Sequence, residues 1–158
     1  LIVGLPGEGL DHMKKTMTEL EKLDPENITV HTMAIKKVSK ISKNIEDYEL
    51  TQADTIEKML NMSREYLEKM ELYPYYMYRQ KQILGNFENI GYAKAGKECI
   101  YNISMMEEKE TIIALGVGSV SKIFFPEEDR IERVPNFKDL NVYFNRIEEV
   151  IDRKKIYI

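Results

Sequence analysis

Residues 1–35, LIVGLPGEGLDHMKKTMTELEKLDPENITVHTMAI, decide the fold class. The opening run Leu1–Leu5 is apolar and strand-like, of the kind a parallel sheet buries on both faces. Gly4, Pro6, Gly7 and Gly9 then punctuate a turn. Leu10, Met13, Met17 and Leu20 recur at three- and four-residue spacing, which predicts an amphipathic helix ending near Leu23-Asp24-Pro25. NITVHTMAI (27–35) is rich in β-branched residues and of strand length. Strand, helix and strand with short connections predict a βαβ unit with parallel strands and a right-handed crossover.

From Lys36 to Asn44 the chain is basic and interrupted, which predicts a loop with a helical turn. Thr51 reads as a helix N-cap, with Asp54 three residues on as an approximate capping box. Ala53, Ile56, Met59, Leu60, Ser63, Leu67 and Met70 then line one face of a long helix. Up to Leu72 the alternation is that of a doubly wound sheet or a barrel. YPYYMYRQ (73–80) packs four of the ten tyrosines into six residues, and Pro74 confines it to an edge strand or a strand entrance. Gly85, Gly91 and Gly96 mark turns. TIIALGVGSVSKIFF (111–125) and RIERV (130–134) read as antiparallel strands turning at Pro126 and Asp129. Leu140, Tyr143, Phe144, Ile147 and Ile151 predict a closing amphipathic helix.

The 158 residues suit one domain of ordinary size, and 43% apolar with 32% charged residues describes a globular chain. No apolar run approaches the ~18 residues of a membrane span, and no signal peptide is evident. A net charge of −4 argues against a nucleic-acid partner. One cysteine excludes a disulfide framework and, within this chain, a cysteine-ligated metal or iron–sulfur site. The first residue is a leucine already inside a strand-like run, which points to a piece of a longer protein.

The local candidates are unspecific. GLPGEGL (4–10) stands where phosphates bind at backbone N–H groups, yet it lacks the lysine and serine of a P-loop, and a plain tight turn is the simpler reading. His31 and His12 have no partners at metal spacing, and Cys99 has no nearby histidine. The lysines 36, 37, 40 and 43 read as a solvated face, and the tyrosine cluster as packing. The two glycines of GVGSVS (116–121) suggest close approach of a backbone or ligand within a strand.

Taken together, these stretches resemble the radical S-adenosylmethionine enzymes of the oxygen-independent coproporphyrinogen III oxidase type, in particular the coproporphyrinogen dehydrogenase branch of clostridia and bacilli. Residues 1–35 look like that family's fifth and sixth barrel strands with their helix: a Leu-x-x-Gly-Leu-Pro-Gly turn begins the helix, and a Pro-(Asp/Glu) dipeptide precedes the last strand. Residues 73–103 and LGVGSVSK (115–122) look like its post-barrel segment, with Asn-Phe, Gly-Tyr-Ala and a Gly-x-Gly strand.

The resemblance implies an α/β fold: residues 1–72 as the second half of a partial (β/α)6 barrel, and residues 73–158 as a small α+β C-terminal domain. The family's CxxxCxxC loop has no counterpart here, which implies a C-terminal fragment. Its missing N-terminal half would hold the four-iron, four-sulfur cluster and the catalytic groups, and no cofactor is expected on this piece alone. Ala34, Phe87 and Val120 match positions touching S-adenosylmethionine, and barrel sites are built at the C-terminal ends of strands. Ala95 and Met106 stand where many relatives carry proline and tryptophan.

The implied reaction is the cytoplasmic oxidative decarboxylation of coproporphyrinogen III to protoporphyrinogen IX. Arg79 and Lys81 are candidate anchors for substrate carboxylates. A haem- or tetrapyrrole-binding module without oxidase activity is the alternative, and it would use Tyr73–Tyr78 and His31. A half barrel would also leave a strand edge near Leu1–Leu5, where self-association is expected.

Overall fold

A computed structural model describes residues 1–37 and 39–157. The described chain forms two compact units, Leu1–Ile100 and Tyr101–Ile158.

In the first unit, strand β1 (Ile2–Val3) leads into helix α1 (Leu10–Leu23) and strand β2 (Asn27–Thr32). β1 and β2 pair in parallel, Ile2 against His31 and Val3 against Thr32, as the βαβ pattern predicts. α1 keeps its expected length because Asp24 turns left-handed at its end (φ 47°) and donates its N–H to the Leu20 carbonyl, and Pro25 follows. β1 is shorter than the apolar run, and Ile2 is half exposed rather than buried. A helical turn, α2 (Lys40–Lys43), interrupts the basic segment. The long helix α3 (Ala53–Lys69) has Gln52 at its N-cap position, with no side-chain cap, and not Thr51, whose hydroxyl instead donates to the Leu5 carbonyl at 3.3 Å. Ala53 is exposed; the buried stripe of α3 is Ile56, Met59, Ser63 and Leu67.

Strands β3 (Tyr73–Tyr78) and β4 (Asn89–Ala93) complete a four-stranded sheet of order β1-β2-β4-β3. Pro74 lies on the edge strand, as its missing N–H requires. α1 and α3 pack on one face of this sheet through Val3, Met13, Met17, Ile28, Val30, Ile56, Met59 and Leu67. Burial alternates along β2, so Ile28, Val30 and Thr32 face the helices while Asn27, Thr29 and His31 face the other way. Gly91 is a strand residue, not the expected turn. A Cβ there would lie 1.8 Å from the Tyr76 ring, so the glycine leaves the gap through which that ring crosses β4.

In the second unit, helix α4 (Ile100–Glu107) precedes a hairpin of strands β5 (Val120–Phe125) and β6 (Arg130–Pro135), in register from Val120–Pro135 to Phe125–Arg130. Residues 111–119 contribute only an isolated bridge, Ile112 to Lys122. Gly116 (φ 96°) and Gly118 (φ 69°) form a turn there, not a strand, and the Asn136 amide clamps it by donating to the Gly116 carbonyl at 2.7 Å. The closing helix is two helices, α5 (Leu140–Asn145) and α6 (Ile147–Lys155), broken at Arg146.

Candidate functional site

The turn after β1 brings Gly4 against α3: a Cβ on Gly4 would stand 3.1 Å from the Ile56 side chain, and its φ of 89° also favours glycine. The loop then opens on a cleft of about 630 Å³ lined by Glu8, Asp11, Glu49 and Thr51. These carboxylates repel a phosphate, and the Gly9 N–H is taken by His12 Nδ1 at 3.3 Å. The segment is therefore a tight βα turn and not an anion loop.

The C-terminal ends of β1 and β2 frame a different feature. An open hollow of about 330 Å³ is lined by Ile2, Leu5, His31, Thr32, Met33, Ala34 and Gln80. Beyond β2 the chain is held by residues 82–84: Ala34 bridges Ile83, the Ile35 N–H donates to the Gln82 carbonyl (3.1 Å), and the Leu84 N–H donates to the Met33 carbonyl (2.9 Å).

A polar network on the face away from the helices leads into this hollow. Tyr76 Oη meets Thr29 Oγ1 at 3.0 Å across β4, and Asn27 Nδ2 donates to Tyr75 Oη at 3.2 Å. Tyr78 Oη meets His31 Nδ1 at 3.3 Å, Gln80 Nε2 donates to Tyr78 Oη at 3.2 Å, and Lys36 Nζ donates to Gln80 Oε1 at 2.7 Å. The Tyr76 and Tyr78 rings stack with centroids 6.3 Å apart. Desolvation lowers the His31 pKa and favours the neutral imidazole. It raises that of Tyr76, which stays a phenol. Sequence reasoning missed this network, whose members lie 44–48 residues apart except in the Tyr78–Gln80 contact. The alternation of Thr29 and His31 along β2, set against Tyr76 and Tyr78, was its only signal.

Of the residues singled out in the sequence, Ala34 lines the hollow. Phe87 does not: it packs against the apolar core and shares a small crevice with Val30, Arg64 and Ile90. Val120 begins β5 in the second unit and is 42% exposed. Arg79 is ion-paired with Glu88, whose carboxyl its hydrogen bond holds below the usual range. Lys81 is exposed and meets no carboxylate among the described residues. The four lysines of 36–43 are exposed, as expected of a solvated face.

Cys99, the single cysteine, is exposed, and no three His, Cys, Asp or Glu side chains converge on a metal position among the described residues. These residues do not fit an iron–sulfur cluster, which needs several thiolates. The hollow does fit part of a small organic cofactor, with an apolar floor and a few polar groups. Among the described residues, no helix is long and apolar enough to cross a membrane.

No family model matches the chain. Across all 158 residues it is 40% identical to the oxygen-independent coproporphyrinogen-III oxidase-like protein HemZ of Bacillus subtilis. The chain is thus similar in sequence to part of an oxygen-independent coproporphyrinogen-III oxidase-like protein. It spans 32% of that relative's length, in its C-terminal part. Among solved structures it matches coproporphyrinogen III oxidase (HemN) of Escherichia coli, described as a radical SAM enzyme. The TM-score is 0.60 at 15% identity, over 94% of this chain and 33% of that one. The mixed α/β fold is thus shared with a portion of a radical SAM enzyme, as the sequence resemblance led one to expect.

Proposed function

We propose that this chain is the C-terminal part of a cytoplasmic radical S-adenosylmethionine enzyme that oxidatively decarboxylates coproporphyrinogen III to protoporphyrinogen IX. Residues 1–72 would close the second half of its partial barrel, and residues 73–158 would follow as its C-terminal domain. The observation that carries the reading is 40% identity, over every residue of the chain, to a coproporphyrinogen-III oxidase-like protein. The hollow at the ends of β1 and β2 supports it, because parallel α/β folds build their sites at the C-terminal ends of strands. So does the free edge at β1, where Ile2 is half exposed and a further barrel strand would pair.

S-adenosylmethionine, together with an iron–sulfur cluster held by other residues, supplies the radical chemistry of this enzyme class. The residues of this chain bind and orient. Ala34 would touch S-adenosylmethionine from the end of β2. Lys81 offers an unpaired ammonium for a substrate carboxylate. Arg79 offers a guanidinium that must first leave Glu88.

The test is anaerobic reconstitution of the intact protein with iron and sulfide, followed by a one-electron reductant, S-adenosylmethionine, coproporphyrinogen III and an electron acceptor. Formation of protoporphyrinogen IX with one carbon dioxide lost per vinyl group is expected. Loss of product formation with retained haem binding would replace this reading by a tetrapyrrole-binding module, which the tyrosines and His31 on the open sheet face favour. The 158-residue chain alone should hold no stoichiometric cluster. Replacing Arg79 by glutamate in the intact protein should weaken substrate binding, and unchanged affinity would remove Arg79 from the site.

A further inference from the structure

The hydrogen bonds behind His31 bear on which of its nitrogens carries the proton. An ammonium can only donate, so the Lys36 contact makes the nearer atom of the Gln80 amide its oxygen. The Gln80 NH2 group must then face Tyr78 Oη and donate to it. With its oxygen already accepting from Gln80, Tyr78 has its own proton free to give to His31 Nδ1. A neutral imidazole that accepts at Nδ1 carries its hydrogen on Nε2. That second nitrogen has no partner among the described residues, and the ring is one wall of the hollow.

Two further features of the hollow point to the charge of its occupant. No aspartate or glutamate is among the lining residues, and Ile2, Leu5 and Met33 supply apolar contact. A ring N–H without an acid beside it, next to an apolar wall, suits an acceptor that is negatively charged and carried on a larger organic body.

We propose that His31 donates from Nε2 to a carboxylate of the molecule bound in this hollow, and that Tyr78 acts as a positioning residue that holds the imidazole in the donor tautomer. The proposal deepens the radical S-adenosylmethionine reading and rests on it for the identity of the ligand. Two carboxylates are then available, the methionine carboxylate of the cofactor and a propionate of the tetrapyrrole.

Two measurements on the intact protein test it. The first is nitrogen-15 spectroscopy of labelled histidines, with the His31 signal assigned by its loss in His31→Gln. The expected result is hydrogen on Nε2 in the wild type and a shift toward the Nδ1–H form in Tyr78→Phe. An Nδ1–H wild type overturns the proposal, whatever the variants do. The second is equilibrium binding of S-adenosylmethionine, of 5′-methylthioadenosine, which lacks the carboxylate, and of coproporphyrin III. His31→Phe should weaken one carboxylate ligand at least tenfold and leave 5′-methylthioadenosine within about twofold. His31→Gln, whose amide nitrogen stands near the place of Nε2, should restore most of the loss. The weakened ligand identifies the source of the carboxylate. If wild type and His31→Phe bind both carboxylate ligands equally, the proposal fails while the functional reading stands. If the wild type binds coproporphyrin III but not S-adenosylmethionine, and His31→Phe weakens it, the functional reading fails and the proposal stands. Binding of neither carboxylate ligand by the wild type overturns both.

Discussion

The two compact units hold themselves together by different means. Leu1–Ile100 is organised around an apolar layer in which Met17, Ile56, Met59 and Leu67 are almost wholly buried between helices and sheet. Tyr101–Ile158 buries few apolar side chains, Ile123, Val134 and Val150, and buries Ser121, Asn136 and Lys154 beside them. Each of these polar side chains donates to or accepts from backbone: Ser121 Oγ accepts from the Ala114 N–H at 3.0 Å, and Lys154 Nζ donates to the Ala114 carbonyl at 2.6 Å. The first unit is an apolar sandwich. The second is a hairpin whose preceding loop is pinned by side chains that complete its hydrogen bonds.

The largest effect should come from emptying the apolar layer. Leu67 is fully buried on α3, and Leu67→Ala should cost about 2–5 kcal/mol by lost transfer energy and cavity formation. Chemical denaturation followed by far-ultraviolet dichroism would measure it. A cost under 1 kcal/mol would mean that the layer is not what holds the first unit together. Gly91→Ala attacks the same unit from the open face. Its methyl group would drive the Tyr76 ring off β4 and break the Thr29 bond, with about 1–3 kcal/mol expected. Adding Tyr76→Ala should recover much of that cost, since the ring would no longer be in the way.

The second unit should respond most to a polar deletion. Asn136 is 5% exposed and ties the Gly116 carbonyl and Ser119 Oγ to the start of the loop after β6. Asn136→Ala leaves both without that donor and should cost about 1–3 kcal/mol. Loss of hydrogen-exchange protection at Gly118 and Asn136, with the sheet of the first unit unaffected, is the expected pattern. Loss spread evenly over both units would erase the distinction between them.

This contrast also explains what could be read in the sequence. α1 and α3 were legible because an apolar side chain recurs on one face each turn, and Pro74 marked its strand as an edge because it lacks an N–H. α4 went unread because none of its residues is buried and no stripe forms. The Gly116–Gly118 turn was mistaken for strand because its determinant, Asn136, lies far along the chain. Gly91 was mistaken for a turn because its reason is the Tyr76 ring from the neighbouring strand. In the candidate site, the position of Ala34 at a strand end was legible, whereas the His31–Tyr78–Gln80–Lys36 network was not. Local periodicity records which face is apolar, and carries little about polar partners brought together only by folding.

A smaller prediction concerns charge within the second unit. Glu108 accepts from Lys122 Nζ at 2.6 Å and Arg133 Nη2 at 2.9 Å, and the Lys122 hydrogen bond above all holds its carboxyl below the ordinary carboxylate range. A carboxyl whose folded pKa is depressed releases its proton more readily in the folded state. Its contribution is therefore fully present above the unfolded value of about 4.3, and it fades as pH falls through the lower folded one. Because Glu108 is 38% exposed, solvent screens the pair, and the contribution should stay below about 1 kcal/mol. Glu108→Gln should thus lower the stability of the second unit slightly at pH 7 and flatten its loss between pH 5 and the acid limit. Glu19 and Glu88 of the first unit are depressed as well, so the effect of Glu108→Gln should show only at the second unit in an acid melt read by residue-resolved exchange. Identical acid profiles for wild type and Glu108→Gln would show that the Lys122 and Arg133 contacts contribute nothing, and would leave the backbone-directed bonds of Ser121, Asn136 and Lys154 as the polar interactions that hold the hairpin to its loop.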